Sequence, residues 1–332
     1  MTGMTRSGYR RKRNCILDNE ATRTFRKRVW ASPNRIAVRR ELMMSNKGKV
    51  GAPFRHPDCI IGWIMRVKAM NRSSYRDAVG DVEDRLVALG LPPLSHNQLY
   101  ERARILFDSL VKTTDVCDAR VLAYGSFPST TGCDVVAAVD SSGFSLNKYG
   151  GWLFHKWNLE PASGWVKFHA MVDVRTQEVL SYVITDESCG DKSCFERLVD
   201  SALQAGHRVT SLLADAAYDK LEHWKLCRSL GIRFIVNINS PLLGKFIRNG
   251  RVIAKGVPER AAHIRRIREI GREAWKKEVG YSNRWRVEGA FSDLKRRFGD
   301  IMRARERSNM AADLYWRVVD YNLYKGIRSA LA

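Results

Sequence analysis

Three acidic residues, Asp140, Asp215 and Glu288, occupy positions that are unusual for a carboxylate. Asp140 follows the apolar run VVAAV and Asp215 follows SLLA, so each comes directly after a segment that is expected to be a buried strand. Burying an ionised carboxylate without a partner costs several kcal/mol, and an Asp in this position usually faces a cation, a helix N-terminus or solvent. Capping explains either Asp alone, so their significance depends on whether the fold brings them together.

Glu288 lies inside a run of basic and aromatic residues, YSNRWRVEGAFSDLKRRFGD, which spans residues 281–300. On an α-helix of about 100° per residue, a stripe about 60° wide holds four polar side chains: Tyr281, Arg284, Glu288 and Lys295. The neighbouring flank is apolar and suited to burial, with Val287, Phe291, Leu294 and Phe298. A surface helix with an Arg284–Glu288 pair at i, i+4 is the simpler alternative. Trp285 fits either base stacking on DNA or core packing.

The order of the predicted strands and helices indicates whether the three acidic residues lie close together. From residue 131 onward the chain reads as three strands, a helix, a strand, a helix, a strand and a later helix, which matches an α/β, ribonuclease-H-like fold with a mixed five-stranded sheet flanked by helices. In that fold the first and fourth strands are neighbours. Asp140 and Asp215 are therefore expected at one sheet edge, with Glu288 completing the set from the final helix.

Three converging carboxylates repel one another unless cations lie between them. Two divalent ions about 3.5 to 4 Å apart satisfy this requirement: one activates an attacking oxygen and the other stabilises the leaving oxygen of a phosphodiester. Oxygen-only ligands favour Mg²⁺ or Mn²⁺. The sequence thus predicts that Asp140, Asp215 and Glu288 are catalytic residues that hold two metal ions.

Other polar residues near these positions receive structural interpretations. Asp219, with Glu222 three residues later, is interpreted as the N-cap of the following helix. Lys167 and His169, on the second strand, are excluded from the predicted site, because a strand histidine is more often a hydrogen-bonded structural residue than a catalytic one.

The net charge of +22 is concentrated in two segments. Residues 1–50 carry 14 basic residues against 3 acidic ones, and residues 245–307 carry 19 against 8, while the rest of the chain is neutral. Two basic segments on a neutral body indicate a polyanion, with double-stranded DNA or RNA as the expected partner. A solvated basic tail and affinity for ribosomes or acidic lipids are the alternatives.

The N-terminal region predicts a DNA-binding role on weaker grounds. Residues 1–50 have few apolar positions and are expected to form a flexible basic arm. Residues 51–125 contain two amphipathic helices separated by Pro92 and Pro93, and the second begins at a Ser95–Gln98 capping-box spacing. This pattern fits a helix-turn-helix, although any small helical bundle gives the same pattern. Residues 131–332 form the predicted catalytic domain.

Cysteine usage and hydropathy predict a cytoplasmic protein. The seven cysteines are scattered, and Cys189 and Cys194 have no second ligand pair at a zinc-site spacing, so all are interpreted as reduced thiols. The sequence has no run of eighteen apolar residues, and no apolar stretch follows the basic N-terminal cluster. Neither a secretory signal nor a membrane partner is therefore expected.

A family resemblance adds to these inferences. The spacing Y-x2-R-x3-E-x6-K of Tyr281, Arg284, Glu288 and Lys295 resembles the C-terminal signature of prokaryotic insertion-sequence DDE transposases. The segments VAAVDSSGF and LLADAAYD resemble those that carry the first and second catalytic Asp, although Ala216 stands where the family often has a basic residue. The resemblance covers residues 131–332. It implies that Asp140, Asp215 and Glu288 are the metal-binding triad and that Tyr281, Arg284 and Lys295 bind DNA at the transposon end.

The resemblance also implies an activity and its partners. A metal-activated water cleaves at the element end, and the freed 3′-hydroxyl then attacks target DNA. The expected partners are the terminal inverted repeats and target DNA, bound by a nucleoid-associated homodimer in a prokaryotic cytoplasm. A nuclease or resolvase of the same fold, and a catalytically inactive DNA-binding derivative, are the alternatives.

Overall fold

The computed structural model describes residues 6–111, 120–129, 132–146, 165–238, 247–248, 251–252, 257–304 and 306–332. These residues form two units. The first combines residues 6–111 with 294–332, and the second comprises residues 120–145 and 165–293. The predicted division, which placed all of 131–332 in one domain, differs from this one because the last helix of the chain packs with the N-terminal helices.

A mixed sheet forms the centre of the second unit. Its strands are β1 (Val121–Ser126), β2 (Asp134–Leu146), β3 (Trp165–Asp173), β4 (Val179–Asp186), β5 (Arg208–Ala214) and β6 (Arg233–Val236). They lie in the order β1-β4-β3-β2-β5-β6. The pairs β1–β4, β4–β3 and β3–β2 are antiparallel, whereas β2–β5 and β5–β6 are parallel. The predicted adjacency of the strands that carry Asp140 and Asp215 is therefore confirmed.

Helices flank this sheet. They are α6 (Phe195–Gln204), α7 (Leu221–Ser229), α8 (Pro258–Ile270), α9 (Arg272–Glu278) and α10 (Trp285–Phe298), and a two-stranded ribbon pairs β7 (Ile247–Arg248) with β8 (Arg251–Val252). Helix α6 buries an apolar stripe against β3 and β4, because its apolar residues recur at helical spacing. That stripe contains Phe195, Leu198, Val199 and Ala202.

The sheet has a strand that the sequence did not predict. Residues 121–126 lie where the end of the helix-turn-helix region and the turn-rich link YGSFPSTTGCD were expected, but they form the edge strand β1. Val121 and Ala123 are buried, and the strand pairs with β4. The predicted five-stranded sheet therefore lacks this edge strand. The strand was missed because its apolar run is short and is followed directly by turn-forming residues.

Helices make up most of the first unit: α1 (Arg6–Trp30), α2 (Arg35–Asn46), α3 (Asp58–Asn71), α4 (Tyr75–Ala88), α5 (His96–Leu110) and α11 (Arg307–Leu331), with the short strand β9 (Ile301–Met302). Residues expected to be a flexible arm thus form α1 and α2. Helix α1 packs on α11, where the Phe25 ring lies 6.1 Å from the Tyr324 ring and Arg328 Nε lies 2.6 Å from Asp18 Oδ1. Ala21, Phe25 and Val29 recur every four residues and are buried.

The two helices of the proposed helix-turn-helix are present as α4 and α5. The Ser95–Gln98 capping box of α5 forms as predicted, and an equivalent box at Ser74 begins α4. Arg102 donates to Asp58 at 2.5 Å, and its guanidinium lies 4.0 Å from the centre of the Phe54 ring. Helix α5 also packs against α11. These contacts define a helical bundle, and its use in reading DNA stays a prediction.

The described cysteines are free thiols, as the sequence predicted, with Cys189, Cys194 and Cys227 buried. Cys117 lies outside the described residues. Within the part of the chain that the structure describes, no helix is long and apolar enough to span a bilayer.

Candidate active site

The register of the sheet brings Asp140 and Asp215 to the same edge. Strands β2 and β5 pair in parallel as far as Ala138 and Leu213. Each aspartate is two residues beyond its member of this pair, so the two side chains emerge at the same height on neighbouring strands. Strand β2 does not end there, as the sequence suggested, but continues to Leu146 in antiparallel pairing with β3.

Arg284 joins Glu288 to the first aspartate. Its Nη1 donates to Asp140 Oδ2 at 3.1 Å, and its Nη2 donates to Glu288 Oε1. The predicted i, i+4 pair is therefore present, but it is half of a bridge that spans 144 residues of sequence. The side chains of Asp140 and Arg284 are 19% and 20% exposed, whereas Glu288 is 55% exposed. Glu288 thus remains accessible from solvent.

The pKa of Asp140 depends on its burial and on the charged groups around it. Burial raises the pKa of Asp140, and the charges of Asp215 and Glu288 raise it further, while the Ser141 backbone N–H and the Arg284 guanidinium oppose this shift. Burial likewise raises the pKa of Tyr281 to about 12 against the effect of Arg284. The three carboxylates thus form a cluster of negative charge, which the Arg284 guanidinium partly neutralises through its contacts with Asp140 and Glu288.

The two aspartates each have one carboxylate oxygen fixed by the backbone. Ser141 N donates to Asp140 Oδ1 at 2.8 Å, and Ala217 N donates to Asp215 Oδ1 at 2.7 Å. The second contact makes Asp215 the N-cap of a 3₁₀ turn, Ala216–Tyr218, so capping and participation in the site are compatible for this residue. The fixed oxygens orient both carboxylates before any ligand binds.

The residues around Glu288 do not form one continuous α-helix. Tyr281–Arg284 is a 3₁₀ turn that follows Gly280, and α10 begins at Trp285, so the predicted four-residue stripe is broken at its first turn. Tyr281 is buried, with its ring 6.0 Å from that of Trp275. Trp285 is 55% exposed, which excludes core packing. The predicted apolar flank of α10, which contains Val287, Phe291, Leu294 and Phe298, is buried.

Lys295 belongs to the last turn of α10, seven residues after Glu288. It is half-buried, and burial lowers its pKa, an effect that the Asp300 carboxylate opposes. Its predicted role in DNA binding, like those of Tyr281 and Arg284, stays a prediction.

A second polar cluster adjoins the site and was not predicted. His169 lies opposite Ser141 in the β2–β3 register. The Ser141 hydroxyl donates to Asp191 Oδ1 at 2.8 Å, and Lys167 Nζ lies 2.6 Å from the same oxygen. These residues connect β2, β3 and the 3₁₀ turn Asp191–Cys194 one position beyond Asp140. In the sequence, the spacing of Lys167 and His169 two residues apart on one strand already indicated that both side chains lie on the same face of the sheet.

Asp219 is not the N-cap that the sequence predicted. Lys220 occupies the N-cap position of α7, and the Asp219 side chain turns inward to Arg260 on α8. Arg260 donates two hydrogen bonds to it, at 2.8 and 2.6 Å, and Trp224 Nε1 donates a third at 2.9 Å. The side chains of Asp219 and Arg260 are 0% and 4% exposed. A buried ion pair therefore supports the loop that follows Asp215.

Comparison with known proteins gives the family. The sequence model of the transposase DDE domain matches residues 131–323, which is more than half of the chain. A solved structure, the Drosophila P element transposase strand transfer complex, is similar at 13% sequence identity over 90% of this chain and 70% of that chain. Its TM-score is 0.27, so this likeness does not establish a shared fold.

The chain belongs to the transposase DDE-domain family, and its function is DNA transposition. Enzymes of this family generally use divalent metal ions. The residues present here fit such ions, because Asp140, Asp215 and Glu288 offer only carboxylate oxygens and already bind a cationic group, the Arg284 guanidinium, between two of them.

Proposed function

We propose that this protein is an insertion-sequence transposase of prokaryotic type that cleaves DNA at the element ends and joins them to target DNA, with Asp140, Asp215 and Glu288 as its catalytic residues. The observation that carries the proposal is the placement of Asp140 and Asp215 at equal height on adjacent parallel strands, with Glu288 linked to Asp140 through Arg284. The antiparallel β2–β3–β4 meander followed by parallel β5 and β6 supports a ribonuclease-H-like fold.

Two Mg²⁺ or Mn²⁺ ions held by these carboxylates would supply the activation of the attacking oxygen and the stabilisation of the leaving oxygen. The backbone N–H groups of Ser141 and Ala217 hold the aspartates in fixed orientations, which reduces the rearrangement needed on binding. Glu288 is the exposed member of the set and the one that solvent and DNA reach first. Arg284 offsets the repulsion among the carboxylates until a metal or phosphate replaces its contacts.

One assay separates this proposal from its alternatives. The purified protein is incubated with Mg²⁺, a DNA fragment that carries the inverted repeats flanking its coding sequence, and a supercoiled target plasmid. A transposase joins the cleaved 3′ end to the plasmid, a nuclease or resolvase yields cleaved ends without joining, and an inactive derivative shifts the DNA without cutting it. Absence of joined product despite cleavage would exclude the strand-transfer step.

The wider assembly is part of the same proposal. The +22 net charge supports binding of the terminal repeats and of target DNA on the nucleoid, and we propose that the helical bundle containing α4 and α5 contributes a helix-turn-helix contact. Two element ends require two active sites, which supports a homodimer on DNA. Light scattering of the complex with a single end sequence, in Ca²⁺ to prevent cleavage, measures whether one or two protein chains are bound.

Arg284→Ala is expected to have opposite effects on metal and DNA. Removing a guanidinium that pairs with Asp140 and Glu288 eliminates a competing cation, so Mg²⁺ or Mn²⁺ should bind about fivefold more tightly, equivalent to about 1 kcal/mol. Binding of cleaved-end DNA should weaken because a phosphate contact is lost. Calorimetry of metal binding without DNA and anisotropy with labelled end DNA measure the two effects. If neither the metal affinity nor the DNA affinity changed, Arg284 would have only a structural role as the partner of Glu288.

Lys295→Ala is expected to weaken binding of cleaved-end DNA while leaving metal affinity unchanged, because the lysine lies seven residues from Glu288 on α10. The rate should depend more steeply on DNA concentration, and Lys295→Arg should restore most of the binding. Lys225→Ala, which removes the same charge from an exposed position of α7, is the matched control. Kinetics of Lys295→Ala within twofold of wild type would show that it does not contact the end.

A further inference from the structure

His169, which belongs to the polar cluster beside Asp140, also lies close to two cysteines, Cys189 and Cys194. These three residues can hold a metal ion other than the proposed catalytic ions. A ring nitrogen of His169 and the sulfurs of Cys189 and Cys194 all lie within 4.8 Å of one another, and all three side chains are buried. His169 comes from β3, Cys194 from the 3₁₀ turn Asp191–Cys194, and Cys189 from the segment just before that turn. We propose that these three side chains form a zinc site.

The sulfur geometry fits a tetrahedral ion. Cys189 Sγ and Cys194 Sγ are 3.7 Å apart. Two thiolates at about 2.3 Å from a zinc ion in a tetrahedral arrangement are separated by nearly this distance. The same separation is much longer than the roughly 2.05 Å of a disulfide bond. The spacing of the two sulfurs thus matches that of two ligands of one zinc ion and excludes a disulfide bond.

The hydrogen bonds of His169 leave a lone pair for the metal. Thr185 Oγ1 donates its only proton to the Asp186 carbonyl at 2.8 Å, so it accepts from His169 Nε2, 3.0 Å away. Nδ1 is consequently the unprotonated nitrogen of a neutral ring, in agreement with the lowering of the His169 pKa to about 4 by burial. A histidine that donates one ring N–H while its other nitrogen bears a lone pair is arranged as a metal ligand.

Nδ1 also faces a group with which it cannot pair. The ring nitrogen is buried and has no hydrogen-bond partner among the described residues. It lies 3.6 Å from Asp191 Oδ1, beyond hydrogen-bond distance. Two lone-pair-bearing atoms that face each other are stabilised by a cation near both of them. Asp191 is not one of the three clustered ligands, and three protein ligands leave the fourth coordination position open.

The charges balance when zinc is present. Two thiolates and the Asp191 carboxylate contribute three negative charges, and a divalent ion together with Lys167, whose Nζ is 2.6 Å from Asp191 Oδ1, contributes three positive ones. Burial raises the pKa of the Cys194 thiol, and a metal that coordinates a thiol favours its deprotonated form. A neutral cluster is far less costly to bury than isolated thiolates. Soft sulfur ligands distinguish this site from the oxygen-only catalytic triad and favour zinc over magnesium.

The proposed site has a structural role. It ties β3 to the 3₁₀ turn whose Asp191 accepts the hydrogen bond from Ser141, the residue after Asp140. Zinc would hold this turn in place and so stabilise the part of β2 that carries the first catalytic aspartate. Sites of this kind stabilise the folded state directly, and their loss is measurable without any assay of DNA chemistry.

The test begins with wild-type protein purified under reducing conditions, equilibrated with one equivalent of zinc and dialysed against Mg²⁺ buffer. Elemental analysis should find about one zinc per chain, and cobalt substitution should produce a sulfur-to-cobalt charge-transfer absorption. Cys189→Ser and Cys194→Ser should each lower the zinc content at least tenfold, while Cys227→Ser, which removes another buried thiol, should retain it. Thr185→Val, which removes the acceptor of His169 Nε2, should weaken zinc affinity ten- to hundredfold.

Three results would overturn the proposal. Wild-type protein that retains less than about a tenth of an equivalent of zinc after this treatment has no such site, whatever the stability of the variants. Zinc that persists in the Cys189→Ser/Cys194→Ser double variant is bound elsewhere. A protein mass lower by two hydrogens would indicate a disulfide bond. If Cys189 and Cys194 then also fail to react with an alkylating reagent, while the reactivity of Cys227 is unchanged, the cluster is a Cys189–Cys194 disulfide instead of a metal site.

Discussion

Asp140→Asn, Asp215→Asn and Glu288→Gln should each reduce Mg²⁺-dependent cleavage of end-containing DNA by about 10³-fold or more. Each change removes one negative charge at nearly constant shape, and the metal ions that we propose for this site would supply several kcal/mol of transition-state stabilisation. DNA binding should persist, because the basic segments that attract the phosphates are unchanged. Gel-based cleavage and anisotropy on the same preparations measure the two properties.

Asp200→Asn provides the matched control, since it removes an exposed carboxylate from α6 in the same unit. It should cleave like wild type. Calorimetric titration with Mn²⁺ adds a readout that does not depend on DNA, and each triad variant should bind the metal more weakly. Cleavage within about tenfold of wild type in any one variant would remove that residue from the metal-binding set.

Much of the sheet was predictable because its strands are continuous apolar runs interrupted by turns. VVAAV and SLLA are short apolar runs of the kind that form strands in a largely buried sheet, and the aspartate after each one lies where burial decreases. The order of strands and helices then predicts a ribonuclease-H-like fold, in which the strand before Asp215 neighbours the strand that carries Asp140, and β5 does pair with β2. Hydrophobic patterning and connection rules together were sufficient to predict that Asp140 and Asp215 come from neighbouring strands.

The N-terminal helices show where composition misleads. Residues 1–50 are so rich in Lys and Arg that they resemble a solvated arm, yet Ala21, Phe25 and Val29 repeat every four residues and form a narrow apolar stripe. Such a stripe is stable only when another helix covers it, here α11 from the other end of the chain. A partner about 300 residues away in sequence leaves no local signal.

The contacts within the site were predictable only in part. The Arg284–Glu288 pair follows from helical spacing, but the bond from Arg284 to Asp140 depends on the 3₁₀ turn at Tyr281–Arg284, which shifts the arginine relative to an ideal helix. Cys189 and Cys194 were similarly interpreted as ordinary thiols, because their third partner, His169, comes from a strand 20 residues upstream of the first cysteine. Side-chain clusters that combine a strand with an irregular turn have no fixed sequence spacing.

Asp219→Ala should lower the free energy of unfolding by about 3–5 kcal/mol, the range expected when one member of a buried ion pair is removed. The change leaves the Arg260 guanidinium, which is 4% exposed, without the carboxylate that accepts two of its hydrogen bonds, and it also removes the acceptor of Trp224 Nε1. Urea denaturation followed by tryptophan fluorescence measures the loss. Glu222→Ala, an exposed acidic position nearby on α7, should change stability by less than about 0.5 kcal/mol.

The Asp219–Arg260 pair also allows a test of which part of the effect is due to the unpaired charge. If the loss arises mainly from a buried guanidinium without its carboxylate, Arg260→Met in the Asp219→Ala background should restore part of the stability, because both charges are then absent. Equal stability of the single and double variants would instead assign the loss to packing around Trp224. Since Asp219 lies four residues after Asp215, the restored double variant should also recover Mn²⁺ affinity if the pair acts by positioning the loop of this proposed catalytic aspartate.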